Sequence, residues 1–260
     1  MAKRKKIVMG NWKMNLTVPE STVLLEKLKK EMPGNVSSEV VLLPTFVDIY
    51  RAAEEAKGTK LLLGAQNVAE EEKGAYTGEV SILALKGFVK YVLVGHSERR
   101  NIFGENDKVV AKKAEIVVRH DMVPVICIGE TLHEREDGLS KVVTLSQLEA
   151  SCKHLTGEEI AESVIAYEPV WAIGTGQVCD EKEAEKMAAD IRGLIHSLYG
   201  EKAAEKVRIL YGGSVTGKSA KEMKAAKNID GLLVGGASLD HKEFTAIVKN
   251  YSSEISVKKG

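Results

Sequence analysis

The stretch Val164-Ile-Ala-Tyr-Glu-Pro-Val-Trp-Ala-Ile-Gly-Thr-Gly176 decides the fold. It begins with an apolar run typical of a buried strand, and the strand ends on a carboxylate, Glu168. Pro169 has a fixed φ and biases Glu168 away from helical angles, so a loop must follow. Because this loop carries Trp171 and Ile173 before its glycines, it is either a lid that closes over a pocket or an ordinary strand-to-helix loop whose tryptophan packs on a neighbour.

The same kind of apolar run recurs along the whole chain. The runs occupy residues 7–9, 40–43, 61–63, 91–94, 123–128, 164–166, 207–210 and 232–234. Each run is almost continuously apolar instead of alternating, which is typical of parallel strands that are covered on both faces. Charge-rich segments with helical spacing separate the runs, so the sequence consists of eight strand–helix units.

Capping residues mark where the intervening helices begin and end. Thr17-Val-Pro-Glu20 predicts a capping box with proline in the first turn, and Thr45-Phe-Val-Asp48 predicts the start of a second helix that ends at Gly58. The clearest helix is predicted over residues 180–199, with Asp180 as its cap and Gly200 as its end. Further helices are predicted over residues 105–120, 216–227 and 238–250.

Eight such units without a break in composition predict an α/β fold, a closed (β/α)8 barrel that forms a single domain over residues 1–260. The alternative is a doubly wound open sheet, which needs a Gly-x-Gly-x-x-Gly loop after an early strand and a ribose-binding acid further on. Neither stands in that place, because Gly10 is isolated and the Gly-Gly pairs follow the last two strands. The sequence therefore favours the barrel.

Composition excludes several classes of protein. The chain carries 37 basic and 37 acidic side chains, and this balance gives no preference for nucleic acid or for a membrane surface. No apolar run approaches the ~20 residues of a membrane span, and no signal peptide is recognised before the first strand. The sparse cysteines (Cys127, Cys152 and Cys179) have no metal-ligand spacing. We expect a cytoplasmic protein without metal or cofactor, and without a nucleic-acid or membrane partner.

Polar residues gather where the predicted strands end, and chemistry in such barrels lies at these ends. Asn11 and Lys13 are two residues apart, so they would share one side of an extended chain. We expect structural ion pairs for Arg99 and Arg100 and a core position for Cys127. Singly, each residue has a structural explanation, but together they predict a site. The strand-end residues are Asn11, Lys13, Gln66, Asn67, His96, Ser97, Glu98, Arg99, Arg100, Cys127, Glu130, Glu168, Gly212, Gly213, Ser214, Gly235 and Gly236.

Two glycine pairs predict a phosphate site. Gly212-Gly213-Ser214-Val215 and Val234-Gly235-Gly236-Ala237 each lie between a strand and the start of a helix. Glycine lets backbone N–H groups approach an anion, and the loops after strands seven and eight often hold phosphate in such barrels. Combined with a carboxylate, a histidine, a lysine and an asparagine, this cradle suits proton abstraction beside a carbonyl in a small phosphorylated compound.

Five motifs that span nearly the whole chain closely resemble the triosephosphate isomerase family. They are Asn11-Trp-Lys-Met-Asn15, Gly95-His-Ser-Glu-Arg-Arg100, Ala166-Tyr-Glu-Pro-Val-Trp-Ala-Ile-Gly-Thr-Gly176, Tyr211-Gly-Gly-Ser-Val215 and Leu233-Val-Gly-Gly-Ala-Ser-Leu239. The resemblance implies a TIM barrel enzyme of glycolysis and gluconeogenesis. Its reaction would interconvert dihydroxyacetone phosphate and D-glyceraldehyde 3-phosphate through an enediolate.

The resemblance also implies roles for the matching residues. Glu168 would be the base and His96 a neutral electrophile, Lys13 and Asn11 would hold the substrate and its developing charge, and Glu98 would be the acidic residue beside the lysine. The other substrate-binding positions would be Gly174, Ser214, Gly235 and Gly236. The lid, of the closing kind for which this family is a standard example, would comprise Pro169, Val170, Trp171, Ala172, Ile173, Gly174, Thr175 and Gly176.

A homodimer follows from the same resemblance, with residues 67–79 as an interdigitating loop and Thr77 in contact with the partner's active site. One departure is the hinge Gln177-Val178-Cys179, where many relatives carry a lysine. Two other interpretations stay open. One is a non-catalytic barrel that binds a phosphorylated ligand or a protein partner, and the other is a metal-free isomerase that acts on a larger phosphosugar.

Overall fold

A closed barrel of parallel strands forms the centre of the molecule. The computed structural model describes residues 4–174, 177 and 179–252. Across these residues, eight strands pair in chain order and the last pairs with the first, which confirms the predicted (β/α)8 barrel and excludes an open sheet. The strands are β1 (Ile7–Asn11), β2 (Glu39–Leu43), β3 (Leu61–Ala65), β4 (Tyr91–Val94), β5 (Val123–Ile128), β6 (Val164–Tyr167), β7 (Arg208–Tyr211) and β8 (Gly231–Val234).

Helices connect the strands and cover the outside of the barrel. Their caps agree with the sequence where it was clearest: Thr17 and Glu20 form a capping box, and Asp180 accepts a hydrogen bond from the Glu183 N–H. The helices are α1 (Val18–Glu31), α2 (Ile49–Ala56), α3 (Ile82–Leu85), α4 (Ser97–Phe103), α5 (Asp107–Arg119), α6 (Leu132–Glu136), α7 (Ser140–Cys152), α8 (Gly157–Glu162), α9 (Glu181–Tyr199), α10 (Glu201–Lys206), α11 (Gly217–Met223) and α12 (His241–Tyr251). In the described part of the chain, none of them is long and apolar enough to cross a membrane.

Two predicted helix starts differ from the structure. The Thr45–Asp48 segment forms a short 3-10 helix, Phe46–Asp48, before α2 begins. The Asp48 carboxylate is buried and accepts hydrogen bonds from Ser21 Oγ and Thr45 Oγ1, so it ties this turn to α1. The helix predicted from residue 238 begins at His241, because Asp240 accepts from the Lys242 and Glu243 N–H groups and so becomes the cap.

The strands are apolar on both faces because each face is buried. Ile7 and Met9 of β1 point into the barrel interior, whereas Val8 between them packs with residues of the surrounding helices. The interior packing includes side chains from seven of the described strands, which fill the barrel and leave no open channel in this layer. These residues are Ile7, Met9, Val41, Leu43, Tyr91, Leu93, Val125, Cys127, Val164, Ala166, Leu210 and Leu233.

The N-terminal end of the barrel is closed by a network around Glu39. Its carboxylate accepts hydrogen bonds from Arg208 at 2.6 Å, Tyr91 Oη at 2.7 Å and Lys90 at 3.0 Å. Burial alone would raise the pKa of the Glu39 carboxyl, but these donors lower that pKa to about 2. The opposite, C-terminal end therefore remains for binding and chemistry.

Candidate active site

A cavity of about 310 Å³ opens at the C-terminal ends of the strands. Its size suits a small ligand. Residues from the loops after β1, β4, β6, β7 and β8 contribute to its wall, as strand-end positions in a barrel predict. The structure thus brings together eight of the nine predicted catalytic and substrate-binding residues, and beside them Ile173 of the predicted lid and the strand-end glycines Gly212 and Gly213. The eight are Asn11, Lys13, His96, Glu168, Gly174, Ser214, Gly235 and Gly236.

Glu168 is the buried carboxylate of this cavity. It directly follows β6, and only 1% of its surface is exposed. Oε2 accepts the Ser97 N–H at 2.9 Å, and Oε1 lies 3.0 Å from His96 Nε2. Burial raises the pKa of the Glu168 carboxyl, but His96, the Ser97 N–H and Lys13 lower it further, so the carboxylate form prevails. A Cβ on Gly212 would lie 2.9 Å from Glu168 Cγ, so glycine at 212 makes room for this side chain.

His96 caps the N-terminus of α4 and faces Glu168 across the cavity wall. Its Nδ1 accepts the Glu98 N–H at 3.2 Å, which places the ring proton on Nε2, the atom that faces Glu168. Burial lowers the pKa of His96 and the Glu168 carboxylate raises it, with a raised pKa as the net result. The Glu98 N–H opposes this rise, because a doubly protonated ring has no acceptor to offer it. The neutral ring that donates from Nε2, which the family resemblance implies, therefore stays a prediction.

Lys13 reaches the cavity by a route that differs from the prediction. Its φ is 53°, so the chain is not extended at this residue and the argument from strand spacing was wrong. Asn11 Oδ1 instead accepts the Lys13 N–H at 3.0 Å and forms a local turn. Lys13 Nζ donates to Glu98 Oε1 at 2.6 Å. Glu98 itself is outside the cavity lining, behind the ammonium group that it holds.

The glycine-rich loops form the opposite wall of the cavity. Gly236 begins a 3-10 helix, Gly236–Leu239, and a Cβ on Gly235 would lie 3.5 Å from Lys13 Cε. Ser214 donates both its N–H and its hydroxyl to the Ala172 carbonyl, at 3.2 and 2.6 Å. Gly174 is exposed and has φ +69°, a left-handed conformation that favours glycine. These loops therefore contact both the predicted lid and the lysine.

The described part of the lid, residues 169–174, packs on its neighbours. Val170–Ala172 form a 3-10 helix in which Trp171 is buried. Trp171 Nε1 donates to Glu130 Oε1 at 2.8 Å, and the same oxygen accepts from Tyr167 Oη at 3.2 Å. Burial raises the pKa of the Glu130 carboxyl, against these hydrogen bonds. The predicted lid residues Thr175 and Gly176, and Val178 of the hinge, lie outside the described residues, and lid motion stays a prediction.

Arg99, Arg100 and Cys127 have the structural surroundings that the sequence indicated. Arg99 pairs with Glu105 at 2.5 Å, and Arg100 pairs with Asp107 at 2.6 Å. Cys127 is buried inside the barrel, where burial raises the pKa of its thiol well above the ordinary value. Of the strand-three residues, Gln66 donates to the Lys13 carbonyl at 2.8 Å, so it supports the loop that carries Lys13.

Sequence reasoning missed several residues. The cavity is also lined by Asn15, Val215, Leu233 and Ala237. Each of these residues stands within one of the quoted motifs, which could have identified it. Arg135 lies on α6, away from any strand end, and its guanidinium carbon is 3.9 Å from the Trp171 ring centroid. No pattern in the sequence points to that contact. Thr77, the predicted dimer contact, is exposed and outside the cavity of its own chain.

Comparisons with known proteins agree on one family. A family model described as triosephosphate isomerase matches residues 6–251. The chain is 47% identical over 249 residues to the triosephosphate isomerase of Thermoanaerobacter sp. (strain X514), which covers 95% of this chain and all of that protein. It is 46% identical to the triosephosphate isomerase of Clostridium tetani (strain Massachusetts / E88), over 95% of this chain and 97% of the relative.

Proposed function

The chain belongs to the triosephosphate isomerase family, and from that premise we propose that Glu168 is the base of an aldose–ketose isomerisation. The substrates are dihydroxyacetone phosphate and D-glyceraldehyde 3-phosphate, whose interconversion serves glycolysis and gluconeogenesis. The observation that carries the proposal is the buried Glu168 carboxylate with the His96 ring 3.0 Å away on the wall of one cavity. Binding of a ligand alone needs no such base.

The proton transfer follows from these positions. Glu168 leaves its hydrogen bond to the Ser97 N–H, turns towards the substrate and takes the proton of the substrate C–H bond. The electron pair of that bond forms the enediolate C=C bond, and the carbonyl oxygen becomes negative. His96 donates from Nε2 to this oxygen, and Lys13 and Asn11 stabilise its charge. The hydroxyl proton on the neighbouring carbon's oxygen passes by way of His96 to the first oxygen, so that oxygen becomes a hydroxyl. As Glu168 returns its proton to the former carbonyl carbon, the C=C electron pair forms the new C–H bond and the deprotonated oxygen forms the new carbonyl. Once Glu168 faces the substrate, its effect on the pKa of His96 weakens, which favours the neutral ring.

The glycine-rich loops bind the phosphate in this proposal. Gly235 and Gly236 present backbone at the start of a 3-10 helix, beside the Lys13 side chain. Ser214 and Gly174 complete the cradle when the lid closes. Closure must release the two hydrogen bonds that Ser214 gives to the Ala172 carbonyl, so that its donors turn to the phosphate. The lid then excludes water from the enediolate.

We also propose a homodimer in the cytoplasm. A monomer would leave several large apolar side chains exposed to water, among them Met14, Val47, Ile102 and Phe103. Met14 directly follows the active-site lysine, and yet it is 95% exposed. A partner that covers Met14 would also stabilise the loop of Lys13, and Thr77 on an exposed segment is the proposed contact. The balanced charge of the chain supports neither nucleic acid nor an anionic membrane as a partner.

Turnover of D-glyceraldehyde 3-phosphate by the wild type and by Glu168→Gln tests the proposal. We expect fast turnover by the wild type and a loss of about three orders of magnitude or more in the variant, because an amide cannot take the proton. Glu158→Gln, on an exposed residue of α8, is the matched control and should retain full activity. A wild type that binds phosphoglycolate without turnover would instead indicate a non-catalytic barrel, and turnover of only a larger phosphosugar would indicate another isomerase.

A further inference from the structure

Arg135 connects the two elements that flank the lid. Its guanidinium stacks on the ring of Trp171, in the first turn of the lid. Its Nη1 pairs with Glu183 in the first turn of α9, the helix that follows the lid. The proton transfer described above uses neither contact. The side chain therefore spans from the entry of the lid to the helix at its exit.

The helical end of this connection is fixed. Asp180 caps α9 by accepting the Glu183 N–H at 2.8 Å, and Ala184 and Met187 on the next turns are buried against the barrel. Glu183 thus holds the guanidinium at a constant place, while Glu130 holds the indole N–H of Trp171 at 2.8 Å. Trp171 is restrained both through its ring face and through its nitrogen. A movement of the first lid turn must break or slide at least one of these contacts.

The pose in which these contacts exist has the features expected of an open lid. Gly174 is exposed, Ser214 donates to Ala172 and not into the cavity, and Glu168 is bonded to the Ser97 N–H. We propose that Arg135 is a positioning residue that holds Trp171 in this open pose and so sets the equilibrium of lid opening, an inference that rests on the lid closure of the proposed isomerase. Weakening a contact made only in the open pose shifts the population towards the closed pose, which binds ligand.

Arg135→Met tests this role. Methionine keeps apolar contact with the indole but loses the cation and the ion pair, and the half-exposed Glu183 carboxylate can be solvated. We expect phosphoglycolate to bind about five- to thirtyfold more tightly, the range that a cation–π contact of this kind corresponds to. KM should fall by a similar factor and kcat should not rise, because the lid opens more slowly to release product. Arg119→Met, which removes an exposed arginine paired with Glu115 on α5, is the matched control.

Fluorine NMR of protein labelled with 5-fluorotryptophan reads the lid without turnover. The chain has two tryptophans, so Trp171 reports the lid and the buried Trp12 is an internal reference. In Arg135→Met without ligand, the Trp171 signal should shift towards its phosphoglycolate-bound position while the Trp12 signal stays in place. A wild type without isomerase activity would refute the proposed function, yet this shift would still support the role of Arg135. The role of Arg135 would be overturned if Arg135→Met bound phosphoglycolate as tightly as the wild type or more weakly. It would also be overturned if the variant had a lower melting temperature and an unmoved Trp171 signal.

Discussion

Gly129→Ala should displace the Glu168 carboxylate, the proposed base, from a distance. Gly129 directly follows β5, and a Cβ at this residue would lie 1.8 Å from the backbone oxygen of Glu168 and 2.6 Å from its carbonyl carbon. Ordinary van der Waals contact begins near 3.4 Å, so the two chains would have to separate by more than an ångström. Gln147 resists that movement, because it bonds to both the N–H and the carbonyl of Gly129, at 2.8 and 3.2 Å.

The size of the effect follows from these contacts. Overpacking typically costs about 1–3 kcal/mol, and a clash with backbone that cannot rotate away belongs at the upper end, about 3 kcal/mol. For a chain of this length, such a loss lowers the melting temperature by about 6–12 °C. Because the displaced carbonyl belongs to Glu168 itself, we also expect kcat/KM to fall by about 100-fold, as a misplacement of about 1 Å does.

Calorimetry at one fixed protein concentration and turnover well below the melting temperature measure the two effects. Gly193→Ala is the matched control, because Gly193 is exposed within α9 and a Cβ there would meet no atom within 4 Å. It should be slightly more stable than the wild type, by up to about 1 kcal/mol, and fully active. If Gly129→Ala were as stable and active as Gly193→Ala, the reasoning that close packing of β5 against β6 positions Glu168 would be refuted.

Three further predictions concern other parts of the molecule. Glu39→Gln should be less stable than the wild type by about 2–3 kcal/mol at pH 7. Because the folded-state pKa of Glu39 is lowered to about 2, this difference should disappear as the pH falls from about 4.5 towards 2. Urea unfolding at several pH values measures the difference, and equal stability of the two proteins at pH 7 would contradict the prediction. Met14→Glu should elute as a monomer of about 28.3 kDa with reduced activity. The control Val142→Glu, which also changes an exposed apolar residue, should keep the mass of the wild type in light scattering. A Met14→Glu variant of unchanged mass would exclude Met14 from the proposed interface. Cys127, Cys152 and Cys179 should resist alkylation by iodoacetamide at pH 8 in the folded protein and should react after unfolding. The reason is that all three thiols are buried and have raised pKa values. Mass spectrometry measures the labelling, and rapid labelling of the folded protein would show that the fold opens at one of these cysteines.

The barrel could be predicted because its signals are local and repeated. Each buried parallel strand needs apolar residues on both faces, so runs such as residues 123–128 identify a strand without knowledge of its partners. Asp180 and Thr17 marked helix starts because a cap is a contact between near neighbours. Thr45-Phe-Val-Asp48 does begin a helical segment, but its first turn is a 3-10 helix before α2. That turn was not predicted, because the Asp48 carboxylate bonds to Ser21, a distant residue that no local pattern reveals.

The site shows the same division between local and distant information. Position after a strand end correctly brought Glu168, His96 and Ser214 to one cavity. The conformation of Lys13 was not predicted, because its positive φ depends on a bond between its own N–H and the Asn11 side chain. Arg135 was missed because its contacts with Trp171 and Glu183 join three segments that are far apart in sequence.

Isomerisation in deuterated water tests the central claim, proton transfer by Glu168, most directly. A carboxylate that takes the proton from D-glyceraldehyde 3-phosphate can exchange it with solvent before returning it, so the first dihydroxyacetone phosphate formed should carry deuterium at the accepting carbon in part of the molecules, as proton NMR or mass spectrometry measures. Glu168→Gln should form this labelled product at a rate lower by about three orders of magnitude. Product that carries only the original hydrogen, formed equally fast by both proteins, would contradict the account and indicate a hydride shift without a base.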